Sequence, residues 1–168
     1  MSDIITDPDK WRAGWSGGGS ETKCGQGSTL SKTVFQRKWI PEVIAKHGIT
    51  DIADIGAGDL NWAKRTKFGC KYSAYDLVPR HPDVRQFNVL TDPLPESDCY
   101  MLMWVLHHFP PHDQAATMLK LLDTNARFVL MTWQESMETC TNLPYIEKAV
   151  LRKTAAHNLD LEIRLCKL

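Results

Sequence analysis

The nine residues DIADIGAGD (51–59) constrain this chain more than any other stretch, because an apolar run closes there on Gly56-Ala57-Gly58. That pattern predicts a buried strand ending in a tight turn whose glycines admit a ligand close to the backbone. Four more short runs follow: KYSAYD (71–76), VRQFNVL (84–90), CYMLMWVL (99–106) and ARFVLMTW (126–133). Several lack clean alternation, as strands apolar on both faces of a helix-covered parallel sheet do. The final residues, LDLEIRLCKL (159–168), do alternate, which predicts a half-buried antiparallel strand at or near the sheet edge. Residues 30–47 and HDQAATMLKLLD (112–123) carry helical periodicity, with Pro41 expected to kink or divide the first and Gly48 to end it. The segment LPYIEKAVLRKTAAHN (143–158) is expected to be helical as well.

These elements predict an α/β three-layer sandwich with a mainly parallel sheet of about six strands and an antiparallel last strand. The length of 168 residues and 43% apolar content fit one domain, taken as residues 30–168. Before it, residues 1–29 form a Gly/Ser-rich lid or substrate loop, with Trp15, Gly18, Gly19 and Ser20 as its candidate contact residues. Between the second and third strands only LVPRHPD (77–83) is available, and Pro79 and Pro82 forbid a helix there. Extended at roughly 3.3 Å per residue it still spans one strand length, so a parallel pair survives with one sheet face partly uncovered.

Lys plus Arg number 20 and Asp plus Glu number 20, so no overall field holds the chain on nucleic acid or an anionic membrane. A nucleic-acid partner would need a local patch. Residues 61–85 contain six basic side chains against two acids, whereas residues 86–139 contain two against seven. The basic cluster is either ordinary solvated surface or a phosphate-reading patch, and the charge division would also suit a homo-oligomer. The N-terminus has no basic region followed by an apolar run, and no stretch reaches membrane-span length, so a cytoplasmic protein without membrane attachment is expected. Five cysteines with no CxxC pair point to reduced thiols. His107, His108 and His112 lack the helical i, i+4 spacing of a metal site, and no metal is expected.

The chemistry concentrates around the glycine turn. A dinucleotide fingerprint needs a third glycine where this chain has Asn61, and no GxxxxGK[ST] phosphate loop is present. Asp54, on the strand just before the glycines, suits a cationic amine better than a phosphate. Eighteen residues beyond Gly58, Asp76 ends the second strand, where a carboxylate accepts both hydroxyls of a ribose; the alternative is an exposed turn aspartate. Trp104 is either a core residue or a π-face beside a cation. His107 and His108 sit where a general base would act, or else serve packing and capping.

Taken together, DIADIGAGD, YSAYDLVP and FNVLTDPLPESDCYMLMWVLHHF resemble, in order and spacing, the class I S-adenosylmethionine-dependent methyltransferases over roughly residues 50–133. The glycine/serine-rich entry resembles that of a small bacterial and phage-type group of these proteins. The resemblance implies a Rossmann-like fold and S-adenosylmethionine as cofactor. It implies that Asp54, Gly56, Ala57 and Gly58 surround the methionine portion, that Asp76 binds the ribose, and that Leu77 flanks the adenine. Asn88, Val89 and Leu90 would read the adenine edge, with the family's usual acid replaced by Asn88 or displaced to Asp92. Trp104 to His108 would line the sulfonium side, with His107 and His108 as catalytic candidates. Methyl transfer to an unidentified acceptor is the implied activity; the alternative is a catalytically inactive binding or regulatory subunit on the same fold.

Overall fold

Each central strand sends alternate side chains to opposite faces, and both faces are apolar, so neither can be left to water. In the computed structural model, which describes Asp9, Arg12 and residues 18–134, 144–153 and 160–168, those faces become two separate hydrophobic layers. Strand β4 (Cys99–Leu102) shows the division: Cys99 and Met101 enter one layer, Tyr100 and Leu102 the other. The first layer is closed by helix α1 (Val34–His47) through Ile40, Val43 and Ile44; the second by helix α2 (Pro111–Leu122) through Met118 and Leu121. The sandwich read from the sequence is therefore present.

The sheet has seven strands, ordered β3-β2-β1-β4-β5-β7-β6. Strands β1 (Asp51–Ile55), β2 (Lys71–Asp76), β3 (Val84–Gln86), β4 and β5 (Phe128–Trp133) are parallel. Chain order reverses between β1 and β4, and their C-terminal ends splay connections to opposite sides there, which opens a crevice. β2 and β3 are joined without a helix, as the prolines of 77–83 require, and the β1–β2 connection holds only a single 3-10 turn, Ala63–Arg65.

Three expectations are corrected. Residues Tyr145–Lys153 form strand β6, not a helix, and bring the count from about six strands to seven. The antiparallel strand β7 (Asp160–Lys167) pairs with β5 on one side and has a free edge on the other, which β6 fills. Ladder pairing outweighs a local helical tendency there, and the register shifts between Tyr145 and Glu147 and between Val150 and Arg152 are typical of a sheet edge. Buried Glu162 on β7 is held by Lys148 of β6 at 3.0 Å and by Arg164 at 2.7 Å. The third strand stops at Gln86, not residue 90, because Asn88 accepts from Leu90 N–H at 3.0 Å and Asp92 accepts from Asn88 N–H at 2.8 Å, folding 88–92 into a turn. Pro41 does not divide helix α1, which runs through it as one element and ends at Gly48 in the left-handed conformation.

Among the described residues no helix is long and apolar enough to cross a membrane. Leu130 of β5 is 1% exposed in the α1-side layer. Leu130→Ala is expected to lower unfolding free energy by about 2–5 kcal/mol through the cavity it leaves, read as a lower urea midpoint with an unchanged slope.

Candidate functional site

The switch between β1 and β4 positions the glycine turn. Gly56 (φ +85°) and Gly58 (φ +63°) occupy the left-handed region, and a Cβ on Gly56 would stand 2.3 Å from Val105 Cγ2. At Gly58 the same atom would meet Cys24 Sγ at 2.4 Å. The turn thus tolerates no side chain at either position. Asp76, at the tip of β2, accepts Gly58 N–H at 2.8 Å on one carboxylate oxygen and Val78 N–H at 2.8 Å on the other. Burial raises its pKa, opposed by those two backbone donors. Each oxygen retains a lone pair for a further donor.

Around this turn lies a cleft of about 380 Å³, within the ~300–1,000 Å³ usual for a small-molecule site. Of the residues singled out from sequence, Gly56, Gly58, Asp76, Leu77, Asn88, Val89, Leu90, Trp104, His107 and His108 all line it. Between Asn88 and Asp92, it is Asn88 that faces the cleft, while Asp92 is spent on the Asn88 amide. Lys120 of α2 pins the same turn, donating to the carbonyls of Val89 at 2.8 Å and Asp92 at 2.7 Å.

Asp54 and Ala57 are not brought to the cleft. Asp54 is 2% exposed and accepts a hydrogen bond from the Tyr72 hydroxyl. Burial, with a smaller contribution from the Asp76 charge, pushes its carboxyl up to about 7. Ala57 packs against the α1-side layer. Gly18, Gly19 and Ser20 form a turn away from the cleft lining, with Gly18 C=O accepting from Glu21 N–H at 3.2 Å. Trp15 lies outside the described residues.

The part of the entry segment that does reach the cleft is Cys24 to Ser28, which sequence reasoning did not single out. It is stapled to the β1 turn by two polar residues. Asp59 accepts from Thr22 Oγ1 at 2.7 Å and from Lys23 N–H at 2.8 Å, while Asn61 Nδ2 donates to Glu21 at 2.8 Å and to Ser28 C=O at 2.9 Å. The missing third glycine was the available signal: Asn61 uses its amide where a dinucleotide site would need no side chain. Burial pushes the Cys24 thiol up to about 11, so it joins the wall protonated.

The opposite wall is aromatic and strained. Trp104 has φ +62°, rare for a residue with a Cβ, and its N–H donates to Thr132 Oγ1 at 2.8 Å. The indole ring meets His107 edge-on at 5.7 Å, and the His107 and His108 rings are 3.8 Å apart. Trp104 Nε1 and His107 Nδ1 are buried with no hydrogen-bond partner among the described residues. Burial first, then the neighbouring His108, depresses His107 to about 3, and burial lowers His108. Both rings are therefore neutral imidazoles near pH 7. Among the described residues no group of three or more His, Cys, Asp or Glu is placed to hold a metal.

Strand order, switch-point cleft and glycine turn together match a known architecture. The fold is that of the class I S-adenosylmethionine-dependent methyltransferases. The chain is similar to the N-methyltransferase NodS of Bradyrhizobium japonicum, solved with S-adenosylhomocysteine, at TM-score 0.64 and 12% identity over 98% of this chain and 94% of that one. A 1,6-didemethyltoxoflavin-N1-methyltransferase of Burkholderia thailandensis, solved with bound 1,6-didemethyltoxoflavin and S-adenosylhomocysteine, matches at TM-score 0.59 and 14% identity over 84% of this chain and 81% of that one. Human N-acetylserotonin methyltransferase, solved with S-adenosylmethionine, matches at TM-score 0.52 and 15% identity over 79% of this chain; the chain spans 52% of its length. No family model and no curated protein sequence matches the chain.

Two measurements check this geometry. Gly56→Ala is expected to cost about 1–3 kcal/mol in urea unfolding, since it adds a Cβ in the left-handed region against Val105. Below its ordinary 6.5, the unfolded chain protonates His107 while the folded chain refuses the proton until about 3. His107 therefore contributes full stability above 6.5 and loses it as pH falls towards 3. Its ring proton shifts are expected to stay constant from pH 8 to 5 by NMR.

Proposed function

We propose that the chain is a methyltransferase that takes its methyl group from S-adenosylmethionine and passes it to an acceptor seated between Trp104, His107 and His108. The observation that carries this reading is Asp76, a half-buried carboxylate at the tip of β2 that faces the cleft while hydrogen-bonded to the glycine turn itself. The residues present suit the cofactor. Asp76 would hold the ribose hydroxyls, Leu77, Phe87, Val89 and Leu90 offer an apolar slot for the adenine, and Asn88 offers a polar edge beside it. The collapsed, side-chain-free turn at Gly56 and Gly58 leaves backbone for the methionine portion. Bound there, the cofactor supplies a methyl group on a positively charged sulfur, a good leaving group.

The chain's own part is largely positional. Trp104, in the cleft wall, would supply an electron-rich ring beside that positive sulfur. In such a transfer the acceptor's lone pair would form the new bond to carbon and the sulfur–carbon electron pair would stay on sulfur. His107 and His108, neutral at working pH, stand as the hydrogen-bonding groups beside the acceptor and the nearest candidates to take a proton that it loses. Gly25 to Ser28 close the cleft from the entry segment.

A second reading, a cofactor-binding subunit without turnover, is favoured by one observation. A ring depressed to about 3 is a weak base, so an acceptor that must be deprotonated would receive little help from His107. The two readings part on turnover, and both require binding. Calorimetry is expected to detect S-adenosylhomocysteine binding to the wild-type chain, weakened about 10- to 100-fold by Asp76→Asn, the loss of a charged hydrogen-bonding partner. Absence of binding to the wild-type chain, or an unchanged affinity in the variant, overturns the assignment.

A further inference from the structure

The 88–92 turn supplies three lining residues of the cleft, yet one of the groups that holds it stands outside the cleft. Lys120, in the last turn of α2, donates from a single Nζ to the carbonyls of Val89 at 2.8 Å and Asp92 at 2.7 Å. Two carbonyl dipoles converge there on one point, an arrangement that repels itself unless a cation sits between them. Beneath it, Val89 shares an apolar layer with Met118 and Leu121 of the same helix. Helix α2 therefore grips the turn by one apolar contact and one ionic contact.

Within the turn, Asn88 C=O accepts Asp92 N–H at 2.8 Å, and the Asp92 carboxylate accepts Asn88 N–H at 2.8 Å and the Thr91 hydroxyl at 3.2 Å. Phe87 N–H donates to Asp76 C=O at 2.9 Å and so ties the turn to the tip of β2. The Asn88 side chain is oriented as well. A backbone N–H can only donate, so the atom that meets Leu90 N–H at 3.0 Å is Oδ1. What Asn88 has left to offer the cleft is Nδ2, whose two hydrogens no other described residue takes up.

We propose that Lys120 is a positioning residue for base recognition, holding the 88–92 turn so that Asn88 meets the cofactor's adenine as a hydrogen-bond donor, to a ring nitrogen. The inference rests on the cofactor reading above and specifies it. Adenine carries both ring-nitrogen acceptors and an amino donor. A carboxylate at position 88 would select the amino group; an amide fastened through its oxygen selects a ring nitrogen. Lys120 acts without touching the ligand. With its ammonium gone, the two carbonyls part, Leu90 N–H leaves Oδ1, and the amide loses its fixed orientation.

The test is calorimetry with S-adenosylhomocysteine, its 1-, 3- and 7-deaza analogues and its 6-deamino analogue, on the full chain. Removing one of the three ring nitrogens is expected to weaken wild-type binding about 3- to 10-fold, as loss of one hydrogen bond does, and removing the amino group to cost less. Lys120→Met, which keeps the stem and removes the charge, is expected to weaken S-adenosylhomocysteine by a similar factor and to erase the ring-nitrogen penalty. A general loss of stability does not produce that coupling. Lys120→Arg, still able to donate to both carbonyls, is expected to restore it, and Asn88→Ala to erase it. Lys120→Gln supplies the neutral variant should Lys120→Met unfold. Deaza analogues that all bind like the parent, a penalty for the amino group alone, or a neutral Lys120 variant that keeps the full ring-nitrogen penalty overturns the proposal while leaving the cofactor reading intact. No binding of S-adenosylhomocysteine by the wild-type chain removes the cofactor reading and this inference with it.

Discussion

The carboxylate of Asp76 is the joint on which the site depends. One oxygen holds the Gly58 amide and the other the Val78 amide, so the tip of β2, the turn after β1 and the start of the β2–β3 connection are tied at one carboxylate. Because both donors are backbone groups, the arrangement survives any choice of neighbouring side chain. It needs only a carboxylate at this point and a turn that can bend towards it. The glycines supply the second condition, with left-handed backbone at Gly56 and Gly58 and no room for a Cβ on either.

Beneath that joint, two-sided burial does the structural work. The odd and even residues of β4 enter different layers, and α1 and α2 each close one of them. Where the helices stop, the two consequences differ in kind. On the C-terminal side the open edge of β7 is filled by another strand, β6. Around β2 no helix arrives, because 77–83 is short and proline-bearing and 56–70 has only a 3-10 turn, and a cleft remains.

Much of this was legible in the residues. The positions of the first five strands along the chain, the helix over 112–123, the helix-free β2–β3 link and the antiparallel end all follow from periodicity and turn chemistry, which are local. Ten of the cleft residues were legible as well: Gly56, Gly58, Asp76, Trp104, His107 and His108 from turn and strand-end chemistry, and Leu77, Asn88, Val89 and Leu90 through the resemblance to the methyltransferase motifs. What was not legible came from contacts between distant segments. Asp54 looked like a ligand-facing acid, but strand alternation turns it to the α1 side, where Tyr72, eighteen residues on, takes it up. The entry segment reaches the cleft through Cys24 to Ser28 because Asp59 and Asn61 fasten it there, and no spacing rule encodes that fastening.

By itself, then, the sequence determined where six of the seven strands would lie, where the glycine turn would fall and which acid would follow it, because backbone sterics and residue periodicity act over a few residues. Only the tertiary structure decided that residues 145–153 would be a strand, since that depends on an unfilled edge of β7 and not on their own preference. It also decided which polar groups face the cleft and which are spent inside. Asp76, Asn88, Trp104 and His107 line the cavity, whereas Asp54 is sealed beneath it, and burial then sets the protonation of Asp54 and His107. Desolvation is a property of the surroundings of a side chain, and those surroundings exist only once the chain has folded.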